Sequence, residues 1–207
     1  MLSASTLIAS AVAHPDVERY TMYNLPTAHA TSTTHRALAD DDDDRHFTQA
    51  ALRRVAPHNK VILTFVNKVR IDFAKTWVAH MKRLRLTNYL VGATDEPALK
   101  ALKLARIPCF SMKTNLPQGE WPWGSPSFKS LGPHKIELIY KSIGWGFEVI
   151  ITDIDALVLR EPFAYMARWP DAGYLTSGDC LGNTTGSDDG GLEDHGCLSQ
   201  AMNIGYM

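Results

Sequence analysis

The feature that most constrains the fold of this chain is an apolar run at residues 149–159 that contains two aspartates, Asp153 and Asp155. A strand buried on both faces can be apolar throughout, but it cannot bury two unpaired carboxylates, because desolvating each charge costs several kcal/mol. The pair is therefore expected at a strand end, where it meets a cation, hydrogen-bond donors or solvent. Side chains at positions i and i+2 of an extended backbone point the same way. Asp153 and Asp155 are thus expected to face one spot, about 7 Å apart at their Cα atoms.

The two aspartates suit a divalent cation. Carboxylates are hard oxygen ligands, and their convergence at a strand end favours Mn²⁺ (or Mg²⁺), ions that also bind diphosphates. The run therefore indicates the chemistry of a nucleotide-sugar site. Two aspartates separated by one residue are not specific for a metal site, because residues 40–44 also contain aspartates at this spacing. No apolar run surrounds that second copy, and we interpret it as part of a solvated linker.

Composition excludes several classes of function. The chain has 207 residues, of which 45% are hydrophobic, and a formal net charge of −1, so it can bury one sizeable core. It has no basic block or stripe, which argues against a nucleic-acid partner. No apolar run reaches the roughly 18 residues that a membrane-spanning helix needs, so no transmembrane segment is predicted.

Strand and helix signals alternate from Asn59 onward. Apolar and β-branched runs predict strands at residues 61–66, 89–93, 108–112, 148–153 and 172–176. Helical periodicity and prolines in first turns predict helices at residues 71–85, 97–105, 133–143 and 162–168. The first of these helices carries a stripe that is expected in the core: Phe73, Trp77, Met81 and Leu84. Such alternation predicts an α/β fold with a parallel sheet and right-handed crossovers. Ligands bind such sheets beyond the carboxyl ends of the strands, where the two aspartates fall.

The N-terminal part and the cysteines are less informative. Residues 7–13 resemble a short apolar signal segment, but no Lys or Arg precedes them. Residues 1–57 are interpreted as an arm or linker that contains this weak signal, and the folded domain is expected at residues 58–207. Cys180 and Cys197 bracket a glycine-rich loop and could form a disulfide in an oxidising compartment, with free thiols as the alternative.

Several segments together resemble a known family. They are V-I-L-T-F-V-N (61–67), Y-L-V-G-A-T-D (89–95), W-G-S-P-S-F (123–128), the aspartate pair with L-R-E-P-F (159–163), and T-S-G-D (176–179). In this order they resemble the plant and algal nucleotide-diphospho-sugar transferases, most closely the arabinosyltransferases that modify hydroxyproline-rich cell-wall glycoproteins. The resemblance covers residues 58–207.

The resemblance implies a fold and a reaction. The expected fold is a GT-A-like, Rossmann-type, mostly parallel sheet flanked by helices. The expected reaction is metal-dependent transfer of a sugar, arabinose in the first instance, from a UDP-sugar to a hydroxyl of a glycoprotein or glycan acceptor. Retention of the anomeric configuration and a place in the Golgi lumen or secretory pathway are also implied.

Two other hypotheses for the function stay open. Members of the family continue beyond the equivalent of residue 205, so the resemblance implies a C-terminally incomplete domain. A catalytically inactive module that binds nucleotide sugars is therefore one alternative. A metal-dependent phosphohydrolase is the other, because paired strand-end aspartates also serve two-metal sites.

The resemblance also assigns roles to the aspartates and to Lys135. Asp155 is expected to bind the metal directly, with a cap on the following turn as the alternative. Asp153 is a second candidate metal ligand and is expected to contact the ribose or a metal-bound water. Lys135, in the first turn of a predicted helix, could reach the donor diphosphate, or it could lie on a solvated helix face.

Further donor contacts are expected at two strand ends. Thr64 and Asn67 end the first strand, where the base and ribose would rest, although core packing of Thr64 is an alternative. Ser177 and Asp179 would face the sugar, or else form a polar turn. No catalytic residue is assigned. Three loop aromatics are expected to plug the core more readily than to stack on a ligand: Trp121, Trp123 and Phe128.

Overall fold

Four parallel strands form the sheet at the centre of the molecule. The structure, a computed structural model, describes residues 46–178 and 202–203. The sheet has the order β3-β2-β1-β4, and all of its pairings are parallel. Its strands are β1 (Lys60–Val66), β2 (Tyr89–Ala93), β3 (Cys109–Ser111) and β4 (Glu148–Ile151). A small antiparallel pair joins β5 (Ser177–Gly178) to β6 (Met202–Asn203). The predicted α/β class with a parallel sheet is confirmed.

The central strand β1 is buried on both faces. Residues 61–66 are all buried, which explains why five of the six are apolar, with Thr64 as the exception. Because side chains alternate along a strand, Ile62 and Val66 enter one core cluster while Leu63 and Phe65 enter the other. The sheet therefore needs helices on both sides.

Helices supply that cover. They are α1 (Gln49–Val55), α2 (Ile71–Arg83), α3 (Glu96–Leu104), α4 (Pro126–Lys129), α5 (Leu131–Gly144) and α6 (Pro162–Met166), with a short 3₁₀ turn at Lys68–Arg70. One face of the sheet is covered by α2 and α3, which bury Trp77, Met81, Leu99 and Leu102 there. The other face is covered by α1 and α5, which bury Leu52 and Leu138. None of the helices within residues 46–178 is both long enough and apolar enough to cross a membrane.

The predicted core stripe of α2 is only partly correct. Trp77 and Met81 are fully buried, but Phe73 is 37% exposed and Leu84 is half-buried. Phe73 lies in the first turn of α2, where its ring lies 5.6 Å from the Arg70 guanidinium. The buried stripe of α2 consists of Ala74, Trp77, Val78 and Met81, so it includes Ala74 instead of Phe73. Helical spacing predicts the buried face, but tertiary packing decides which residues at its margin are covered.

The strand predicted at residues 172–176 is not found. Within the described residues, the segment 172–175 is irregular and lines a cavity beside β4 and α6; Thr176 forms a β-bridge, and β5 starts at Ser177. Tyr174 and Leu175 lie in the wall of this cavity. The strand predicted at residues 148–153 is also shorter than expected, because β4 ends at Ile151.

The folded domain starts earlier than residue 58. Helix α1 lies within the segment assigned to the arm, yet its Leu52 is fully buried. His46 bridges to Ser111 at the edge of the sheet, and the Phe47 ring lies 4.7 Å from that of Phe110. Residues 46–57 are thus part of the domain. The expectations for residues 1–45 and for Cys180 and Cys197 lie outside the described residues.

Truncating Leu52 tests whether α1 belongs to the core. We expect Leu52→Ala to lower the free energy of unfolding by about 2–5 kcal/mol, because it leaves a cavity against the sheet. Leu104→Ala is the matched control, since Leu104 also lies in a helix but is 88% exposed; its effect should stay within about 0.5 kcal/mol. Urea denaturation of both variants measures the difference. Equal effects would show that α1 does not stabilise the domain.

Candidate functional site at the carboxyl ends of the strands

Polar side chains gather where β1, β2 and β4 end. Asn67 follows β1, Thr94 and Asp95 follow β2, and the segment 152–155 follows β4. The carboxyl ends of parallel strands lie at one edge of a sheet, which is where open α/β sheets bind ligands. The site is therefore built from this edge.

Two of these side chains hold backbone segments in place. Asn67 Oδ1 accepts a hydrogen bond from the Arg70 amide at 3.2 Å, and Asn67 Nδ2 donates to the Gly119 carbonyl at 2.7 Å. Asp95 Oδ1 caps α3 by accepting from the Ala98 amide at 2.7 Å, and Asp95 Oδ2 accepts from the Lys68 amide at 2.9 Å. Asn67, predicted as a nucleotide contact, thus ties the loop that contains Gly119 to the end of β1.

The loop that contains Gly119 and the helix α4 that follows it present an exposed aromatic pair. Trp121 is half-buried and donates through Nε1 to the Pro117 carbonyl at 2.8 Å. Trp123 is 88% exposed, and its ring lies 6.4 Å from that of Phe128, which is 37% exposed. The expectation that these aromatics plug the core is wrong for Trp123 and Phe128. Neither residue belongs to the two core clusters.

The two aspartates have different environments. Asp153 Oδ1 lies 2.5 Å from Lys135 Nζ, and the Asp153 side chain is 45% exposed. Asp155 is exposed to solvent. The expectation of a common extended direction is wrong, because β4 ends at Ile151 and the chain then turns, with the Ala156 amide donating to the Asp153 carbonyl at 3.1 Å.

Lys135 does not lie on a solvated helix face. It is 2% exposed, so the solvated helix face is wrong, and its ammonium reaches Asp153. The ammonium also lies 6.0 Å from the centre of the Phe65 ring. Lys135 thus lies between α5 and the sheet, next to the first aspartate of the motif.

Two buried hydroxyls lie side by side beneath the site. Thr64 and Thr152 are fully buried, and neither Oγ1 has a hydrogen-bond partner within the described residues. Leu63 pairs with Ile151, and the Thr152 amide donates to the Leu63 carbonyl at 2.9 Å, so the two threonines are neighbours on one face. An unsatisfied buried hydroxyl costs about 1–3 kcal/mol. Thr64 is a predicted site residue, whereas Thr152 is not predicted from the sequence. The signal that could have identified Thr152 is its hydroxyl directly before the first aspartate of the pair.

The remaining sugar-facing candidates are described in part. Ser177 is half-buried in β5 and pairs with Asn203 of β6. Asp179 lies outside the described residues. The structure therefore shows where the first of these two residues lies, but not the second.

The donor groups at this edge suit a cation that is shared with a ligand. No group of three or more His, Cys, Asp or Glu side chains that could hold a metal occurs within the described residues. Asp155 offers an exposed carboxylate, and Asp153 already has one oxygen on Lys135. Mg²⁺-like ions are commonly bound by one or two carboxylates together with waters and substrate phosphates. The aspartate pair fits that arrangement rather than a cage made of protein ligands alone.

Comparison with known proteins agrees with the geometry. The chain is 39% identical over 147 residues to the arabinosyltransferase XEG113 of Arabidopsis thaliana, which covers 71% of this chain and 22% of that relative. It is 26% identical over 118 residues to the β-arabinofuranosyltransferase RAY1 of the same plant, covering 55% of this chain and 22% of the relative. The arabinosyltransferase RRA2, also from Arabidopsis thaliana, is 19% identical over 156 residues, covering 75% of this chain and 36% of the relative.

The aligned regions therefore span between 22% and 36% of these relatives' own length. No solved structure matches the chain. Residues 84–206 match the family described as nucleotide-diphospho-sugar transferase. This match includes Lys135, strand β4 and the aspartate pair that follows it, and it covers more than half of the 207 residues. With its GT-A-like parallel sheet, the chain belongs to the nucleotide-diphospho-sugar transferase family.

Proposed function

We propose that this protein transfers a sugar from a UDP-sugar to a hydroxyl group of a glycoprotein or glycan acceptor. The observation that carries the proposal is the exposed Asp155, next to an Asp153 whose carboxylate is paired with a buried lysine, at the carboxyl edge of a parallel sheet. Membership of the nucleotide-diphospho-sugar transferase family supports a nucleotide-sugar donor at this edge.

The chain's own residues are proposed to bind and orient the donor. Asp155 offers its carboxylate to Mn²⁺ or Mg²⁺, while Asp153 contacts the ribose or a metal-bound water. When bound, the ion would supply positive charge that stabilises the leaving diphosphate. Asn67 contributes by holding the Gly119 loop against the end of β1, next to the proposed place of the base and ribose.

Other contacts complete the proposed donor site. The unsatisfied hydroxyl of Thr64 is proposed to gain a partner, a water or a donor atom, when the site is filled. Ser177 and Asp179 are proposed to face the sugar. A direct contact of Lys135 with the diphosphate has less support, since this side chain is 3% exposed and its ammonium is engaged by Asp153.

The sugar, acceptor and location are proposed from the relatives. Two of the relatives are arabinosyltransferases and one is a β-arabinofuranosyltransferase, which supports arabinose as the transferred sugar. By the same resemblance, we propose a hydroxyproline-rich glycoprotein as acceptor, retention of anomeric configuration, and a place in the Golgi lumen or secretory pathway.

The metal assignment predicts the effect of Asp155→Asn. We expect this variant to lower the Mn²⁺-dependent affinity for UDP by at least about tenfold, because a neutral amide binds a hard cation more weakly than a carboxylate does. The free energy of unfolding should be unchanged, because Asp155 is exposed. Isothermal titration calorimetry with UDP, in Mn²⁺ and in chelator, measures the affinity.

Asp171→Asn is the matched control for this experiment. Asp171 is also exposed, and its neighbours Pro170 and Ala172 line a cavity next to Lys60 and Glu148, at the opposite edge of the sheet. This variant should bind UDP as the wild type does. Unchanged Mn²⁺-dependent UDP affinity in Asp155→Asn would remove Asp155 from the metal site.

A panel of UDP-sugars tests the reaction itself. We expect UDP release that requires Mn²⁺ and a hydroxylated acceptor, and that is fastest with UDP-arabinose. The assay compares UDP-arabinose, UDP-xylose and UDP-glucose, each with and without a hydroxyproline-rich peptide. UDP binding without turnover would indicate a nucleotide-sugar-binding module instead of an enzyme. Hydrolysis of simple phosphate esters without any acceptor would indicate a phosphohydrolase.

A further inference from the structure

We infer that Lys135 is a positioning residue that gives the two aspartates different roles. Its ammonium binds the carboxylate of Asp153, so that only Asp155 is available to bind the cation. This inference rests on the proposed function and names a residue that acts on the metal site through another side chain. It follows from the burial of Lys135, from its contact with Asp153 and from the turn that Asp153 begins.

A lysine at this position is unusual on stability grounds. Lys135, Leu138 and Ser142 are the buried residues of α5, so the lysine lies on the face that the helix packs against the sheet. Burying an ammonium is unfavourable unless an opposite charge and hydrogen bonds compensate it. Asp153 Oδ1 supplies such compensation at 2.5 Å, and the face of the Phe65 ring lies within cation–π distance. The burial therefore fixes where the ammonium lies.

The ammonium changes what Asp153 can bind. One of its carboxylate oxygens is engaged by a positive charge, which reduces the negative charge available to a second cation. A divalent ion bound at Asp153 would also be repelled by the nearby ammonium. Asp155 is exposed, so the cation is favoured there.

The same contact positions Asp155. The Asp153 carbonyl accepts from the Ala156 amide at 3.1 Å, which closes the turn that carries Asp155. By holding the Asp153 side chain, Lys135 fixes the start of this turn against α5. Lys135 thus determines the direction of Asp155 without contacting the donor.

Lys135→Met separates positioning from a merely structural role. Methionine keeps much of the apolar stem of the side chain but removes the charge, so Asp153 becomes available as a second carboxylate ligand. We expect Mn²⁺ affinity, measured by electron paramagnetic resonance without UDP, to rise by about tenfold, because a second carboxylate can bind the ion and the ammonium no longer repels it. We expect kcat with UDP-sugar and acceptor to fall by about tenfold, because the turn that carries Asp155 is no longer held. Damage to the fold would lower both quantities together.

Lys141→Met is the matched control on the same helix. Lys141 also forms an ion pair with a carboxylate, Glu137, at 2.6 Å, but its side chain is 43% exposed. The same substitution there should change neither Mn²⁺ affinity nor kcat.

A double variant gives the decisive comparison. Asp155→Asn alone should lose Mn²⁺ binding, and adding Lys135→Met should restore part of it, because the released Asp153 can then bind the ion. The inference would be overturned if Lys135→Met neither tightened Mn²⁺ binding on its own nor restored it in the Asp155→Asn background. The proposed function would still stand. Mn²⁺ binding that does not depend on Asp155 in the wild-type background would instead overturn the metal assignment.

A measurement that keeps Lys135 covers the case in which Lys135→Met does not fold. In the wild-type background, Asp153→Asn should change Mn²⁺ affinity less than Asp155→Asn does, because Asp155 is the cation ligand. Equal losses in the two variants would show that both aspartates bind the ion and that Lys135 does not separate their roles.

Discussion

The site depends on the parallel pairing between β1 and β4. Lys60 to Leu63 pair in register with Glu148 to Ile151, and β1 is buried on both faces. Each face of β1 packs into its own core cluster, with Ile62 and Val66 on one side and Leu63 and Phe65 on the other. A one-residue shift would exchange these two sets of side chains and disrupt the packing of both clusters, so core packing specifies the register. It places Thr64 beside Thr152 and makes the chain leave the sheet just before Asp153. The position of the aspartates is thus a consequence of core packing.

Helix α5 adds a second constraint from the other side. Its buried face carries Leu138, which packs on the sheet, and Lys135, whose ammonium meets the carboxylate of Asp153. Such a pair contributes little to stability when desolvation is counted, so its value lies in the geometry that it fixes. Two aspartates that look equivalent in the sequence thereby acquire different surroundings, one held by a buried cation and the other open to solvent.

The rest of the edge is built by hydrogen bonds to the backbone. Asn67 and Asp95 hold the segments that follow β1, β2 and β3 by accepting from or donating to main-chain groups. Residues of this kind shape a ligand site without needing to touch the ligand. Gly92 shows how tightly the strands beneath are packed, because a Cβ there would lie 2.8 Å from Met112 Sδ.

The α/β class, most strand and helix positions and the emergence of the aspartates at a strand end could all be predicted from the amino-acid sequence. Apolar periodicity and the cost of burying carboxylates are local properties, so the sequence of one chain shows them. Four features became clear only from the folded molecule: Lys135 is buried against Asp153, Trp123 is exposed, α1 belongs to the domain, and residues 172–175 are irregular. Each of these depends on which segments, distant in sequence, pack together, and the pattern within a segment does not contain that information.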